Sequence, residues 1–408
     1  MKKVYVMLIG RISGMGGGQM YVNNKLSFVS ELGWDSKVFY AIPGEIVIPE
    51  LRKLEENICE QMVVSPLVYS KKRANKIVDL LAEKIGDFDE AVIESGCPNM
   101  ALWGEMIAKK LKCKHMVHLL DERLDKGVPT EYLNFYKFKH ERKELSGINS
   151  SSLKILFRND PMITDDNAYY LSSVCSNVLL ETTEDPLNIP DEGVSIGCIG
   201  RLNKGYVGAV ADSFRKLVTN HKEIKFNVVF IGGSDNPNDE KHISELFSDL
   251  DNANLIMAGT LYPIPSATIR KISLFASSAG SARVSYRENI PTISMDAKDL
   301  CPIGVLGYTT ENVTYRKDEP IVDLADLAEQ ILFRDYLKDL PFTPSAQVSL
   351  EPLKKHIEFL ENSDTKKEYF DVESLHAAGL DKKKRFICNI LGPNLYSKLR
   401  LIRSKNIQ

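Results

Sequence analysis

Two glycine-bearing loops hold the residue types that could bind a phosphate group. The first, Met15-Gly16-Gly17-Gly18-Gln19, follows the apolar stretch Lys2–Gly10 and precedes a helical pattern that begins near Met20. The second, Arg201-Leu202-Asn203-Lys204-Gly205, lies between the apolar stretch Val194–Gly200 and the helical pattern Tyr206–Val218. A strand feeding a glycine loop at a helix N-terminus offers an anion free backbone N–H groups and the positive end of the helix dipole. Glycine lets the backbone approach a ligand with no Cβ in the way. In the second loop Arg201 would add a planar fork and Lys204 a point charge. Neither loop matches the Walker pattern or a clean Gly-x-Gly-x-x-Gly fingerprint. Each therefore also reads as a plain strand-to-helix turn, and the cation pair as solvated surface charge.

The elements that would position these loops follow from the apolar periodicity. In the first half, strands are expected at Lys2–Gly10, Ser36–Tyr40, Gln61–Val64, Glu90–Glu94 and Lys114–Leu119, with helices at Met20–Leu32, Lys72–Ile85 and Asn99–Leu111. Residues 122–158 are more polar and aromatic and read as helices and loops. The alternation restarts with strands at Val194–Gly200, Phe226–Gly232, Leu255–Ala258, Ile272–Ala276 and Pro291–Met295, and helices at Tyr206–Val218, Glu240–Leu250 and Asp323–Phe333. Val- and Ile-rich strands separated by helix-length segments predict parallel sheets covered on both faces. The segment Glu181–Gly193 has two prolines and no helical period, and reads as an interdomain linker. The expected division is residues 1–185, 193–380 and a tail, 381–408.

Bulk properties bound the function. A chain of 408 residues is too long for one ordinary core. A formal charge of −3 gives no electrostatic case for nucleic acid as a partner. No apolar run is long enough to span a bilayer, and Val4–Ile9 passes into Gly10-Arg11 without a small-residue cleavage site, so it reads as a first strand rather than a signal peptide. Seven cysteines without a Cys-x-x-Cys pair argue for reduced thiols and a cytoplasmic protein, against a disulfide framework or a zinc site.

On these residues the chain resembles the retaining glycosyltransferases of family four, which have the GT-B fold. Gly16-Gly17-Gly18-Gln19, with Leu26, Leu32-Gly33 and Val38-Phe39 following, is similar to that family's opening loop and helix. Ile199-Gly200-Arg201-Leu202-Asn203-Lys204-Gly205 resembles its Gly-Arg-Leu…Lys-Gly segment, with a shorter gap between Arg and Lys. Phe226–Gly233 resembles the family's next strand, and Ser277-Ser278-Ala279-Gly280-Ser281 with Ile290-Pro291-Thr292-Ile293 its Gly-x-Pro-Val region. The resemblance implies an α/β fold of two facing doubly wound Rossmann-like domains with the active site in the cleft between them. It implies that Arg201 and Lys204 hold the diphosphate of a nucleotide-sugar donor, with no metal or other cofactor. Gly16, Gly17, Gly18 and Gly200 would be donor-binding. It also implies that His118, at the end of its strand, contacts the sugar, against the plainer reading of a half-buried strand histidine. One departure stands out. The family places two glutamates eight positions apart before the Pro strand, and neither position carries one here. Ser278, Gly280 and Ser281 are left as the phosphate cradle, and Glu288 as the nearby carboxylate.

The function so implied is transfer of a sugar from a nucleotide-diphosphate donor to a lipid-linked or growing surface-polysaccharide acceptor, with retention. The missing glutamates motivate an alternative, a non-catalytic nucleotide-sugar or glycan-binding subunit that partners an active transferase. A GT-B-like epimerase would need cleft carboxylates that this segment lacks.

Other groups read more simply. Asp121-Glu122-Arg123 is either a base in the cleft or a surface charge cluster. Asp87-Phe88-Asp89 precedes a strand and reads as a connecting loop rather than a metal motif. Gly307–Asn312 is either a ligand-contacting segment or a capped turn. From Lys382 to Lys405 there are eight cations and no acidic residue; taking eight from −3 leaves −11 for the rest of the chain. Gly392-Pro393-Asn394 can start a helix, with Leu395, Leu399 and Ile402 on one face. Such a helix suits an anionic membrane surface, which would place the protein on the inner membrane face. Alternatively, the tail packs on the acidic body, crossing to the N-terminal domain.

Overall fold

The computed structural model describes all residues except 121–128, 149, 159–166, 176–177, 235, 347–348, 364–367, 376–378 and 406–408. The chain forms two compact units, residues 1–175 with 349–408, and residues 176–348. The first runs β1 (Lys3–Ile9), α1 (Gly17–Glu31), β2 (Asp35–Tyr40), the single turn α2 (Pro49–Arg52), α3 (Lys71–Ile85), β3 (Glu90–Ser95), α4 (Pro98–Leu111), β4 (Lys114–Leu119), α5 (Leu133–Glu141), β5 (Leu145–Gly147) and α6 (Ser150–Leu156). Its five strands form a parallel sheet in the order β2-β1-β3-β4-β5. Local chemistry sets the helix ends. Ser70 caps α3 by accepting the Arg73 N–H at 3.3 Å, and Gly86 closes it at φ 74°.

The second unit runs β6 (Leu179–Leu180), β7 (Val194–Ile199), α7 (Gly205–Asn220), β8 (Phe226–Ile231), α8 (Pro237–Phe247), β9 (Ala253–Met257), β10 (Ile264–Pro265), α9 (Ser266–Arg270), β11 (Leu274–Ser277), α10 (Ala279–Arg287), β12 (Thr292–Met295), β13 (Pro302–Val305) and α11 (Leu324–Phe333). Its main sheet has the order β13-β12-β11-β7-β8-β9, parallel except for β13. Successive strand residues enter different cores. Ile196, Cys198, Val228, Phe230, Leu274 and Ala276 join one apolar cluster, while Ile199, Val229, Ile231 and Phe275 join another. Both faces of the sheet are thus covered, which is why the strands read as continuous apolar runs.

The chain then returns to the first unit through α12 (Lys354–Glu361), α13 (Gly379–Leu391) and α14 (Pro393–Lys405). Cys388 and Tyr396 enter the core with Val6, Leu8 and Trp103. The expected division is corrected accordingly: residues 349–380 belong with the first unit, as does the tail. Glu181–Gly193 is not a free linker. Asp185 accepts the N–H groups of Leu187 and Ile189 and the Thr268 hydroxyl at 2.7–3.1 Å, and Glu181 pairs with Arg270, so the segment is fastened into the second unit. The expected strand Gln61–Val64 is a 3₁₀ turn over Glu60–Val63. Met62 is buried there, and the Val64 carbonyl accepts the Trp103 indole rather than a neighbouring strand.

Candidate functional site

In the second unit, strand order reverses at β7: β8 and β9 lie to one side, β11 and β12 to the other. Ligands of open parallel sheets sit outside the carboxyl ends of the strands at such a switch point. The loops that flank it are Arg201–Lys204, after β7, and Ser278, after β11. They are tied together. The Ser277 hydroxyl accepts the Ile199 N–H at 2.9 Å. Tyr206, on the first turn of α7, donates its hydroxyl to the Ile199 carbonyl at 3.1 Å. Burial pushes its phenol well up, so it stays a neutral donor. A Cβ at Gly200 would collide with this hydroxyl, and one at Gly232 with the Gly200 carbonyl. These glycines are required by close approach of the chain to itself.

The open donors and charges gather here. Neither α7 nor α10 has a side-chain cap or a carboxylate in its first turn, whereas α3, α8 and α11 are capped by Ser70, Asn236 and Asp323. Of the first N–H groups, that of Val207 is taken by the Lys204 carbonyl, that of Ser281 by the Ser278 carbonyl and that of Ala279 by the Val313 carbonyl, while those of Gly205, Tyr206 and Gly280 have no partner among the described residues and face solvent or a ligand. Ser278 occupies the N-cap position of α10 yet makes no cap bond, and its buried hydroxyl has no hydrogen-bond partner among the described residues. The next residue, Ala279, takes φ 52°, a left-handed conformation rare for a residue with a Cβ. Its N–H donates to the Val313 carbonyl at 2.5 Å, which brings the chain just after Gly307–Asn312 to this end of α10. Arg201 is exposed and has no ion-pair partner among the described residues; Lys204 is also exposed. Gly200, Arg201, Lys204, Ser278, Gly280 and Ser281 thus gather around one end of one sheet. Glu288 does not join them. It follows the last turn of α10, about 15 Å along the helix axis from Ser278, and binds Arg270 at 2.6 Å.

In the first unit, Gly16 precedes α1, and Gly17 and Gly18 are its first residues, again with no side-chain cap and no carboxylate in the first turn. Below this loop lies a buried polar group that the sequence reading did not find. Glu94, on β3, is fully buried. It accepts the Tyr21 hydroxyl at 2.6 Å and that of Tyr5, and stands 3.6 Å from the Lys25 ammonium. Burial works against its charge, but Lys25, His118 and the two phenols outweigh it and hold the carboxyl low. Burial brings Lys25 down to about 8, against the pull of Glu94. His118 is fully buried rather than half-buried; burial lowers it to about 4. Its Nδ1 is 2.9 Å from the Ser146 hydroxyl, its Nε2 has no partner among the described residues, and its ring lies 4.8 Å from that of His356. His356, from α12, reaches Tyr21 at 3.3 Å and the Ser172 carbonyl at 3.0 Å. The glycine loop and His118 are the parts of this group legible in the sequence. Glu94, Lys25 and His356 come from three distant segments, and no local pattern joins them.

Of the remaining groups, Asp89 accepts the Lys2 N–H at 2.5 Å in the loop that enters β3, and Asp121-Glu122-Arg123 lies outside the described residues. All seven cysteines are free thiols.

No protein-family model matches the chain, and neither does any curated protein sequence. Solved structures do. A glycosyltransferase from Rickettsia africae ESF-5 is similar over 100% of this chain and 98% of its own, at 14% identity and a TM-score of 0.55. Anabaena HepE, in complex with UDP and glucose, is similar over 89% and 96%, at 11% and 0.54. A variant of S. aureus TarM in complex with fondaparinux, α-GlcNAc-glycerol and UDP is similar over 88% and 100%, at 12% and 0.54. At these identities the likeness speaks to architecture, and it spans nearly the whole chain. The molecule has an α/β fold of two Rossmann-like units, the GT-B fold.

Proposed function

We propose that the protein is a glycosyltransferase that moves a sugar from a nucleotide-diphosphate donor to a glycan. The observation that carries this reading is the gathering of Arg201, Lys204, two uncapped helix starts and the unpartnered Ser278 hydroxyl at the switch point of the second sheet. In the reaction the acceptor hydroxyl attacks the anomeric carbon and gives its proton to the departing diphosphate, as the bond from that carbon to the phosphate oxygen breaks with its electron pair on that oxygen. The guanidinium, the ammonium and the backbone N–H groups meet the charge as it develops. No metal or cofactor takes part. We infer that the bond forms with retention and that the acceptor is lipid-linked or a growing surface polysaccharide, met at the cytoplasmic face of a membrane. The three relatives described above support the nucleotide-sugar part of this reading: one is itself a glycosyltransferase and two bind UDP. For His118 the reading is a hydrogen bond from Nε2 to a substrate sugar.

The test is a thermal-shift panel of nucleoside diphosphates against the wild type and the Arg201→Ala, Lys204→Ala double variant. A ligand at 100 times its Kd stabilises by about 2.7 kcal/mol. The expected result is a selective shift with one nucleotide, lost in the double variant. No shift with any nucleotide overturns the reading. The pairing of Glu288 with Arg270, far from Ser278, favours one rival, a non-catalytic nucleotide-sugar-binding subunit. Nucleotide binding without sugar transfer to any acceptor would select that rival.

A further inference from the structure

Helices α13 and α14 have two distinct faces. One is fastened to the first unit. Asp381 accepts the Tyr132 hydroxyl at 2.5 Å and pairs with Lys384 at 3.0 Å, and Arg385 donates to the Leu67 carbonyl. Cys388, Tyr396 and Ser397 are buried. Positions 381, 385 and 388 trace one helical stripe, so the opposite stripe must face away.

That outer stripe is apolar. Phe386, Ile387 and Ile390 on α13, and Leu395, Leu399 and Ile402 on α14, are each 44–67% exposed. They account for six of the seventeen large apolar side chains exposed among the described residues, so the cluster is not the usual scatter of single exposed residues. Lys382, Lys383 and Lys398 are exposed beside them and have no carboxylate partner among the described residues. No acidic residue follows Asp381.

We propose that this face docks on an anionic lipid surface. The apolar side chains would enter the headgroup layer, and the lysine stems would carry their ammonium tips to lipid phosphates. Charge selects this occupant over a second copy of the chain. A symmetric dimer through this face would set its lysines against themselves with no carboxylate to receive them. The inference stands apart from the transferase reading, because vesicle binding is measured without donor or acceptor.

The test is co-sedimentation of the full chain with vesicles of phosphatidylcholine alone and of phosphatidylcholine mixed with phosphatidylglycerol. The wild type should bind the mixed vesicles at least about tenfold more tightly than the neutral ones. The preference should fade as salt rises from about 0.1 to about 1 M, which shortens the Debye length from about 10 to about 3 Å. The variant Phe386→Ser, Ile390→Ser, Leu399→Ser should lose binding to both vesicles. The variant Lys382→Gln, Lys383→Gln, Lys398→Gln should lose only the anionic preference. All six positions are exposed, so thermal unfolding should match the wild type in both variants, which separates lost docking from lost folding. Equal binding by the wild type and both variants overturns the proposal, as does absence of binding to either vesicle. A wild type that is dimeric by light scattering, made monomeric by the serine substitutions and indifferent to vesicles, overturns it in favour of a self-interface.

Discussion

Tyr206 does two jobs that no neighbouring residue could take over. Its ring is buried among the residues around β7, and its hydroxyl donates to the Ile199 carbonyl. Tyr206→Phe should keep the packing and lose about 1 kcal/mol of stability. Nucleotide affinity should fall further than stability does, because the start of α7 loses its hold on the end of β7, beside Gly200 and Arg201; titration calorimetry beside urea unfolding measures both. The buried histidines give a pH test. His118 is held at about 4 and His356 well below the usual imidazole value, so both are neutral in the native state, whereas the unfolded chain takes up protons near pH 6.5. Their contribution is complete above that pH and is lost as pH falls toward the folded values, on the order of 3 kcal/mol for His118 alone. Urea midpoints should therefore drop between pH 6.5 and about 5, before carboxylates titrate, and a His118→Gln, His356→Gln variant should show a flatter slope. An unchanged slope would mean that the imidazoles are not the groups responsible. At this scale the sequence was partly legible. Arg201, Lys204 and Ser278 stood out by type and position beside a strand. Tyr206 did not, because an aromatic residue at the start of an amphipathic helix looks like any core residue until the Ile199 carbonyl is seen above it.

Elements were read where burial is two-sided, as in β1, β7 and β8, since apolar runs flanked by helix-length segments have few other solutions. They were misread where the chain is short or its partner distant. β5 is three residues long, and β13 begins with a proline, so neither carries a strand pattern of its own. Helix α4 depends on distant contacts. Its Glu105 is buried and bonds to His115 on β4 at 2.7 Å, to Lys139 on α5 at 2.9 Å and to the Phe370 N–H at 2.7 Å. Burial alone would raise this carboxyl, but Lys139 and His115 hold it at about 2. Removing one partner of a buried charge group costs roughly 3–5 kcal/mol, because the other charge is left unpaired. Glu105→Leu should reach the lower part of that range, since Lys139 keeps Glu144 at 2.5 Å. Glu105→Gln should cost less, because it can still accept from the Phe370 N–H. Chemical denaturation of the three proteins separates the charge from the hydrogen bond.

For the whole molecule, connectivity decides how folding is divided. The second unit is one uninterrupted stretch, residues 176–348, with its own two cores, whereas the first is assembled from both ends of the chain. Leu353, Phe359, Leu360, Val372, Cys388 and Tyr396 all come from the returning segment and are buried. His356 closes the polar group around Tyr21 from the same segment, bonding to the Tyr21 hydroxyl and the Ser172 carbonyl and packing its ring against His118. A fragment of residues 176–348 should therefore fold alone with a single cooperative urea transition and, if the transferase reading holds, keep the nucleotide shift of the full chain. Residues 1–175 alone should lack such a transition, because several core positions would be empty and α1 would lose its cover over Tyr21. Adding 349–408 on a flexible linker to residue 175 should restore it. If 1–175 unfolds cooperatively without that segment, the return is a surface strap rather than part of the first core, and the vesicle-binding face of α13 and α14 could then detach without unfolding the unit beneath it.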